Sequence, residues 1–254
     1  MENLGHLALL LAAAFTAGAL NAVAGGGSFL TLPALVFTGV PPVVANATGT
    51  VALLPGYMAG AWAFKDDMQS PPGLSMKQVI MLSLIGGSAG AALLLVTPDT
   101  TFRKVVPWLL LAATAMFAFG PQLRAWAAGK NALHHAPGAT KAAAGMLVVA
   151  VYGGYFNGGL GILLLALFGL LGQTQLNAMN GMKNLVSALL TAIAVAIYAV
   201  GGIVQWKLAL LMMIAATAGG YGGARVARKI PAPILRWGIV ATGLVMAGLF
   251  FAKG

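Results

Sequence analysis

Apolar residues run along the chain in long blocks interrupted by proline, glycine and charge, at 6–24, 28–38, 43–64, 76–96, 104–120, 141–157, 160–171, 177–200, 207–224 and 233–252. Most approach the ~20 residues that an α-helix needs to cross a ~30 Å hydrocarbon core, whereas 28–38 and 160–171 are too short for that. Polar breaks fall at Lys65-Asp66-Asp67 through Pro71-Pro72-Gly73, at Thr97-Pro98-Asp99, from Arg124 to Lys141 and from Arg225 to Pro233. The pattern predicts an all-α polytopic membrane protein with about eight full transmembrane helices and two short ones. No stretch is polar enough to fold as a separate extramembrane domain.

The order long, short, long, long, long occurs twice, which predicts an internal repeat. At a separation of 132, Gly26 and Gly27 fall on Gly158 and Gly159, Leu32 on Leu164, Ala34 on Ala166, Leu35 on Leu167 and Gly49 on Gly181. Further on, Lys77 corresponds to Lys207, Gly90 to Gly220 and Trp108 to Trp237. The expected organisation is a first membrane repeat over 1–123, a linker loop over 124–140 and a second repeat over 141–254, packed as one integral unit.

Charge fixes the expected orientation. The chain has 14 Lys+Arg against 4 Asp+Glu, a net +10. If both short segments dip in and return, the loop cations divide seven against six between the two sides, with no bias. If they complete a crossing, Lys65, Lys77, Arg124, Lys130, Lys141, Arg225, Arg228, Lys229 and Arg236 lie on one side, and only Arg103, Lys104, Lys207 and Lys253 on the other. The second arrangement obeys the positive-inside rule. It gives two five-segment halves of opposite orientation with both chain ends outside. No Lys or Arg occurs before Lys65, so the first apolar block lacks the cationic n-region of a cleaved signal and is expected to stay in the mature protein.

Composition narrows the chemistry. With 60% hydrophobic and 7% charged residues and a mean hydropathy of +0.92, this is no water-soluble domain, and the excess of cations reflects topology rather than nucleic-acid binding. The absence of Cys excludes disulfides, thiolate nucleophiles and Cys-ligated metal. The acids Glu2, Asp66, Asp67 and Asp99 lie at an end or in polar loops, so no carboxylate relay is expected inside the membrane. No His/carboxylate dyad, metal set or activated nucleophile falls within the spans, which argues against an enzyme. The adjacent His134 and His135 have the wrong spacing to act as paired ligands on one helix, and no cofactor is expected.

The candidate site lies where glycines interrupt the apolar blocks. Gly25, Gly26, Gly27 and Ser28 precede the short block containing Pro33, and Asn157, Gly158 and Gly159 precede the second. Each glycine costs a helix about 1 kcal/mol against alanine, so breaks are expected at both places. Irregular backbone at membrane depth is tolerated only where it is buried in protein or lines a cavity. A break followed by a short helix presents amide N–H groups at a positive helix end, where an anion binds, the arrangement of discontinuous helices in secondary transporters. The competing reading is that these glycines only permit close helix packing. Polar positions follow each short block, with Asn46 and Thr48 in one half and Asn180, Lys183, Asn184 and Ser187 in the other. Asn180, Lys183 and Ser187 share a helical face. Lys183 is the only cation well inside an expected span, away from its ends, and is a functional candidate by default, although a lysine about two turns into a helix can also snorkel to the headgroups. The Gly219-Gly220-Tyr221-Gly222-Gly223 run is open to reading as a packing surface, a kink or a joint.

These residues resemble the TauE/SafE sulfite exporters, the former DUF81 permeases. The resemblance rests on Ala24-Gly25-Gly26-Gly27-Ser28 to Pro33, on Gly39-Val40-Pro41 leading into Ala45-Asn46-Ala47-Thr48, on the echo from Asn157 to Leu171 leading into Asn180-Gly181, and on the basic turn before Ile234-Leu235-Arg236. It spans essentially the whole chain. The second half departs from the family pattern with Asn157-Gly158-Gly159 in place of a longer glycine motif and with Met182-Lys183 after it. The resemblance implies a bacterial inner-membrane permease that exports sulfite or an organosulfonate such as sulfoacetate. The expected partners are that small anion and the bilayer, and a homo-oligomer stays open. With no membrane carboxylate, the expected driving force is the membrane potential. Another small anion, or a non-transporting partner subunit, are the competing functions.

Because the chain has no cysteine, Glu2→Cys provides a single label. An impermeant maleimide added to intact cells is expected to modify it. Protection until the cells are opened would reverse the orientation of both halves.

Overall fold

The computed structural model describes residues 4–23, 26–131, 138–223 and 232–253. It is built of α-helices, with no strand among the described residues: α1 (Leu4–Val23), α2 (Ser28–Phe37), α3 (Pro42–Ala63), α4 (Met76–Val96), α5 (Asp99–Asn131), α6 (Ala139–Tyr155), α7 (Leu160–Leu170), α8 (Leu176–Val200), α9 (Trp206–Ala218) and α10 (Ala232–Lys253). Of the described helices, α1, α4 and α8 are long and apolar enough to cross a membrane by length and composition. The short helices α2 and α7 begin 132 residues apart, at Ser28 and Leu160.

Several helix ends have a local chemical cause. Pro42 starts α3 at a position where its missing N–H is not needed, and the Val43 N–H donates to the Asp99 carboxylate at 3.0 Å, which ties the start of α3 to that of α5. Ser75 and Gln78 form a capping box on α4. Two expectations fail. The block expected over 104–120 is a helix from Asp99 to Asn131, so the first residues of the expected linker are helical; of the rest, 132–137, including His134 and His135, lie outside the described residues. The block expected over 207–224 is helical only to Ala218 and then widens into a π-helical turn at Gly219–Gly223.

Both short helices fold back along the helix before them. The His6 ring meets the Phe37 ring at a centroid distance of 6.4 Å, and Gly27 lies against the Ala17 carbonyl, so α2 runs antiparallel to α1. In the same way Gly153 meets Leu160 and Gly145 meets Leu167, so α7 runs antiparallel to α6. Contacts between segments distant in sequence define two ends of the bundle. One end gathers the start of α1, the 38–41 turn, Asp99 at the start of α5, Gly201 against Leu95, and Phe251 against Trp108. The other gathers the loop from Phe64 to Pro72 and the 171–175 turn, joined where the Gln173 side chain donates to the Gln69 carbonyl at 2.7 Å. Helix α1 therefore enters from the first end and α6 from the second.

The halves interlock with their roles exchanged. Helix α1 packs on α9 and α6 packs on α4; α3 packs on α8 and α5 on α10. The same exchange holds at single residues. A Cβ on Gly18 would land on the Ala216 carbonyl, and one on Gly86 would collide with Ala150, the position that corresponds to Gly18. Glycine at these crossings lets helix backbones approach to contact, the usual source of helix association in a membrane. A Cβ on Gly90 would strike the Val151 carbonyl, whereas one on Gly248 would meet nothing. Gly90→Leu is expected to lower stability by about 1–3 kcal/mol, seen as reduced thermal stability in detergent, with Gly248→Leu unchanged. Equal melting of the two variants would remove the packing role.

Candidate functional site

Both expected helix breaks are present. Gly26 takes φ +96° and Gly27 precedes α2, while Asn157 takes φ +61° and Gly159 takes φ +72° at the start of α7. A positive φ is strained for any residue with a side chain, which explains glycine at 26 and 159. Asparagine at 157 is one of the few other residues that tolerates it. Gly25 lies outside the described residues.

The breaks are deep in the protein. Gly27 lies opposite Ala17, 11 residues from His6, or about 16 Å along α1 at 1.5 Å per residue. Gly153, opposite Leu160, is 12 residues, about 18 Å, from Lys141. The N-terminal ends of α2 and α7 thus reach roughly half-depth of a ~30 Å core from opposite ends of the bundle. Gly26, Gly27, Ser28, Asn157, Gly158 and Gly159 are all buried. The amides of Gly158, Gly159 and Gly161 find no hydrogen-bond acceptor among the described residues. Gly158 and Gly159 are buried and Gly161 is half-buried; buried N–H groups in that state are rare, and at the start of a helix they form the kind of donor set that binds an anion.

A polar chain connects the breaks. The Gly27 N–H donates to Asn21 Oδ1 at 3.3 Å. Asn21 lies beside the Tyr57 hydroxyl, which donates to Asn157 Oδ1 at 3.4 Å. Asn157 Nδ2 in turn donates to Thr191 Oγ1 on α8 at 3.5 Å. The second break is braced from both sides: Tyr152 and Tyr198 donate their hydroxyls to the carbonyls of Gly158 and Gly154, and Asn46 Nδ2 donates to the Tyr155 carbonyl at 3.0 Å. Of these bracing residues, Tyr57, Tyr152, Thr191 and Tyr198 are absent from the sequence-based candidates. Each is a lone hydroxyl within an apolar block, and only its distance from the breaks in the fold reveals its role.

The remaining candidates separate. Thr48 is fully buried and its Oγ1 accepts the Gln205 N–H at 3.1 Å, so this hydroxyl joins the start of α9 to α3. On α8, Lys183 is 6% exposed and has neither a hydrogen bond nor an ion pair with any described residue. It does not snorkel outward. Ser187, one turn on, is 1% exposed with Oγ unpartnered, and one further turn reaches Thr191. Asn180, at the outer end of this face, is half-buried. Asn184 turns toward α3 and lines a cavity of about 450 Å³ between α1, α3, α8, α9 and the π-helical turn. Among the described residues it is the only sequence-based candidate on that wall; Asn21 and Tyr57 are there as well. In the other half Leu160 and Leu190 pack on Gly153, and Leu190 on Gly87. No group of three or more potential metal ligands occurs among the described residues.

Comparison with known proteins agrees with this architecture. The model of the family "Sulfite exporter TauE/SafE" matches residues 10–250. A probable membrane transporter protein of Haemophilus influenzae is 29% identical, over 94% of this chain and 92% of its own length. The probable membrane transporter protein ORF9 of a Sinorhizobium species is 27% identical, over 95% and 90%. The probable membrane transporter protein YfcA of Escherichia coli is 25% identical, over 95% and 88%. No solved structure matches the chain. The helix breaks, their shared polar chain and the match along nearly the whole sequence lead to one conclusion: this membrane protein belongs to the TauE/SafE family of transporters.

Proposed function

We propose that the chain is a multi-pass transporter of the bacterial inner membrane that exports a small anion, sulfite or an organosulfonate. The observation that carries this reading is Lys183, an ammonium more than nine-tenths buried with no counter-charge among the described residues. A buried charge without a partner costs several kcal/mol, and a passing anion relieves that cost for as long as it is bound. Ser187 Oγ beside it and the free amides at Gly158, Gly159 and Gly161 supply hydrogen bonds for the anion's oxygens.

In this reading the halves are inverted repeats. The end carrying Lys65, Lys77 and Lys141 faces the cytoplasm, following the positive-inside rule. The cavity reaches Phe64 at that end, while Leu160 and Leu190 pack on Gly153 beside the second break, and we read this conformation as open to the cytoplasm. Exchange of the two packings would open the other side, which is alternating access built on inverted repeats. Since no carboxylate titrates in the path, the membrane potential supplies the driving force, about 2.3 kcal/mol per charge per 100 mV.

Purified protein in liposomes tests the assignment through efflux of radiolabelled sulfite. Lys183→Met is expected to reduce the flux at least ten-fold, with Lys183→Arg retaining part of it. Gly26→Val, which forces a β-branched residue to φ +96°, is expected to abolish flux while the protein still inserts. Wild-type flux in both Lys183→Met and Gly26→Val would reject the site, and no flux from the wild type would favour a partner subunit.

A further inference from the structure

At the end of the bundle where α5 begins, Arg103 lies in a cleft between α2, α5 and α10. The other walls are apolar: Pro33, Val36 and Phe37 of α2, and Met246, Leu249 and Phe250 of α10. Both helices run toward this end, where Phe37 meets His6 and Phe251 meets Trp108. From Phe37 back to Pro33 is four residues, as it is from Phe250 back to Met246, so the cleft extends about 6 Å along the helices. Phe37 and Leu249 are exposed, which opens it sideways on the outer surface of the bundle. Its lining includes no member of the polar chain between the breaks and no residue of the Lys183 site.

Arg103 is half-buried among these side chains, and its guanidinium has neither a hydrogen bond nor an ion pair with any described residue. Asp99, one turn earlier on α5, is the natural partner, but its carboxylate accepts the Val43 N–H instead. A guanidinium carries five donors and stays charged, so partial burial against hydrocarbon leaves it in need of an acceptor from outside the fold. Lys104 follows it, exposed, and one further turn reaches Trp108, which is exposed as belt residues at a membrane interface are. In the proposed orientation this side of the membrane holds few cations, so the positive-inside rule gives Arg103 and Lys104 no reason to be there.

We propose that the cleft binds one anionic phospholipid, with its phosphate on Arg103 and Lys104 and an acyl chain along α2 and α10. The phosphate matches the guanidinium fork, which pairs with such oxygens in bidentate fashion. Two cations without a free carboxylate beside them favour a headgroup of net negative charge over a zwitterionic one. The apolar walls favour a lipid over a free anion: the cleft holds about 60 Å³, the space of about two waters, too little for a hydrated ion but enough for a chain lying lengthwise along it. A second copy of the protein matches less well. Of the acids among the described residues, Asp66 and Asp67 belong to the opposite end and Asp99 is engaged. The site stands apart from the anion path and does not depend on the exporter reading.

The test is native mass spectrometry of the purified full-length protein titrated with phosphatidylglycerol or phosphatidylcholine of identical acyl chains in mixed micelles. The first phosphatidylglycerol is expected to bind at least five-fold more tightly than the first phosphatidylcholine. Arg103→Met, which keeps the apolar bulk and removes the charge, is expected to bring the two within two-fold. Lys77→Met, the same change of charge at the opposite end, is expected to keep the preference. Arg103→Gln should show the same loss and serves if the methionine variant does not fold. An excess of glycerol 3-phosphate is expected not to displace the lipid. Equal affinity for the two lipids in the wild type, or a preference that survives removal of the Arg103 charge, would overturn the proposal. Displacement by glycerol 3-phosphate would overturn the lipid as occupant and leave a site for free phosphate.

Discussion

Backbone that leaves helical geometry halfway through a hydrocarbon layer must find partners for its N–H and C=O groups within the protein, because no lipid can supply them. Two such places exist here, at Gly26–Gly27 and Asn157–Gly159, and much of the surrounding polar structure answers to them. Asn21 caps the first and Asn46, Tyr152 and Tyr198 take up carbonyls around the second, while Tyr57 spans the distance between them. The carbonyls are well provided for. The amides of Gly158, Gly159 and Gly161 have no acceptor among the described residues. The local surplus is therefore of donors, the side of the balance that favours a negative guest, and Lys183 adds a full charge of the same preference.

The fold holds these breaks at half-depth by interlocking the two halves rather than by stacking them. Each half's first helix is clasped by the fourth helix of the other, across contacts so close that glycine is required at Gly18, Gly86 and Gly90. A cavity of about 450 Å³ lies beside the first break, lined in part by Asn21 and Tyr57, whereas Leu160 and Leu190 pack on Gly153 beside the second. Small residues set the backbone geometry at these crossings.

Much of this was legible in the sequence. Hydrophobic block lengths separate long from short helices, and the glycine runs before 28 and 160 mark breaks, because both signals are local. The ends of α5 and α9 were not legible. Helix α5 continues through the Pro-, Arg- and Lys-containing stretch after 120, where composition suggests a loop, and α9 yields to a π-helical turn against Phe15 and Gly18 of α1 that no local pattern announces. The site was half legible. Lys183 and Ser187 stand out as polar residues in an apolar helix, and both are buried, with no hydrogen-bond partner for either side chain among the described residues. Tyr57 and Asn21 act through neighbours 100 and 6 residues away in the chain, and Thr48, which looks like a site hydroxyl, is consumed by a contact with Gln205 that only the fold creates.

The central claim is that fixed dipoles and one buried ammonium, with no titrating acid, receive the anion midway through the bilayer, so the charge that crosses is the substrate's own. The most direct measurement is efflux of radiolabelled anion from proteoliposomes under a potassium-valinomycin potential and, separately, under an imposed pH gradient at zero potential. The account requires efflux to accelerate as the interior becomes more negative and to ignore the proton gradient. Efflux that follows the proton gradient and is indifferent to potential would contradict it.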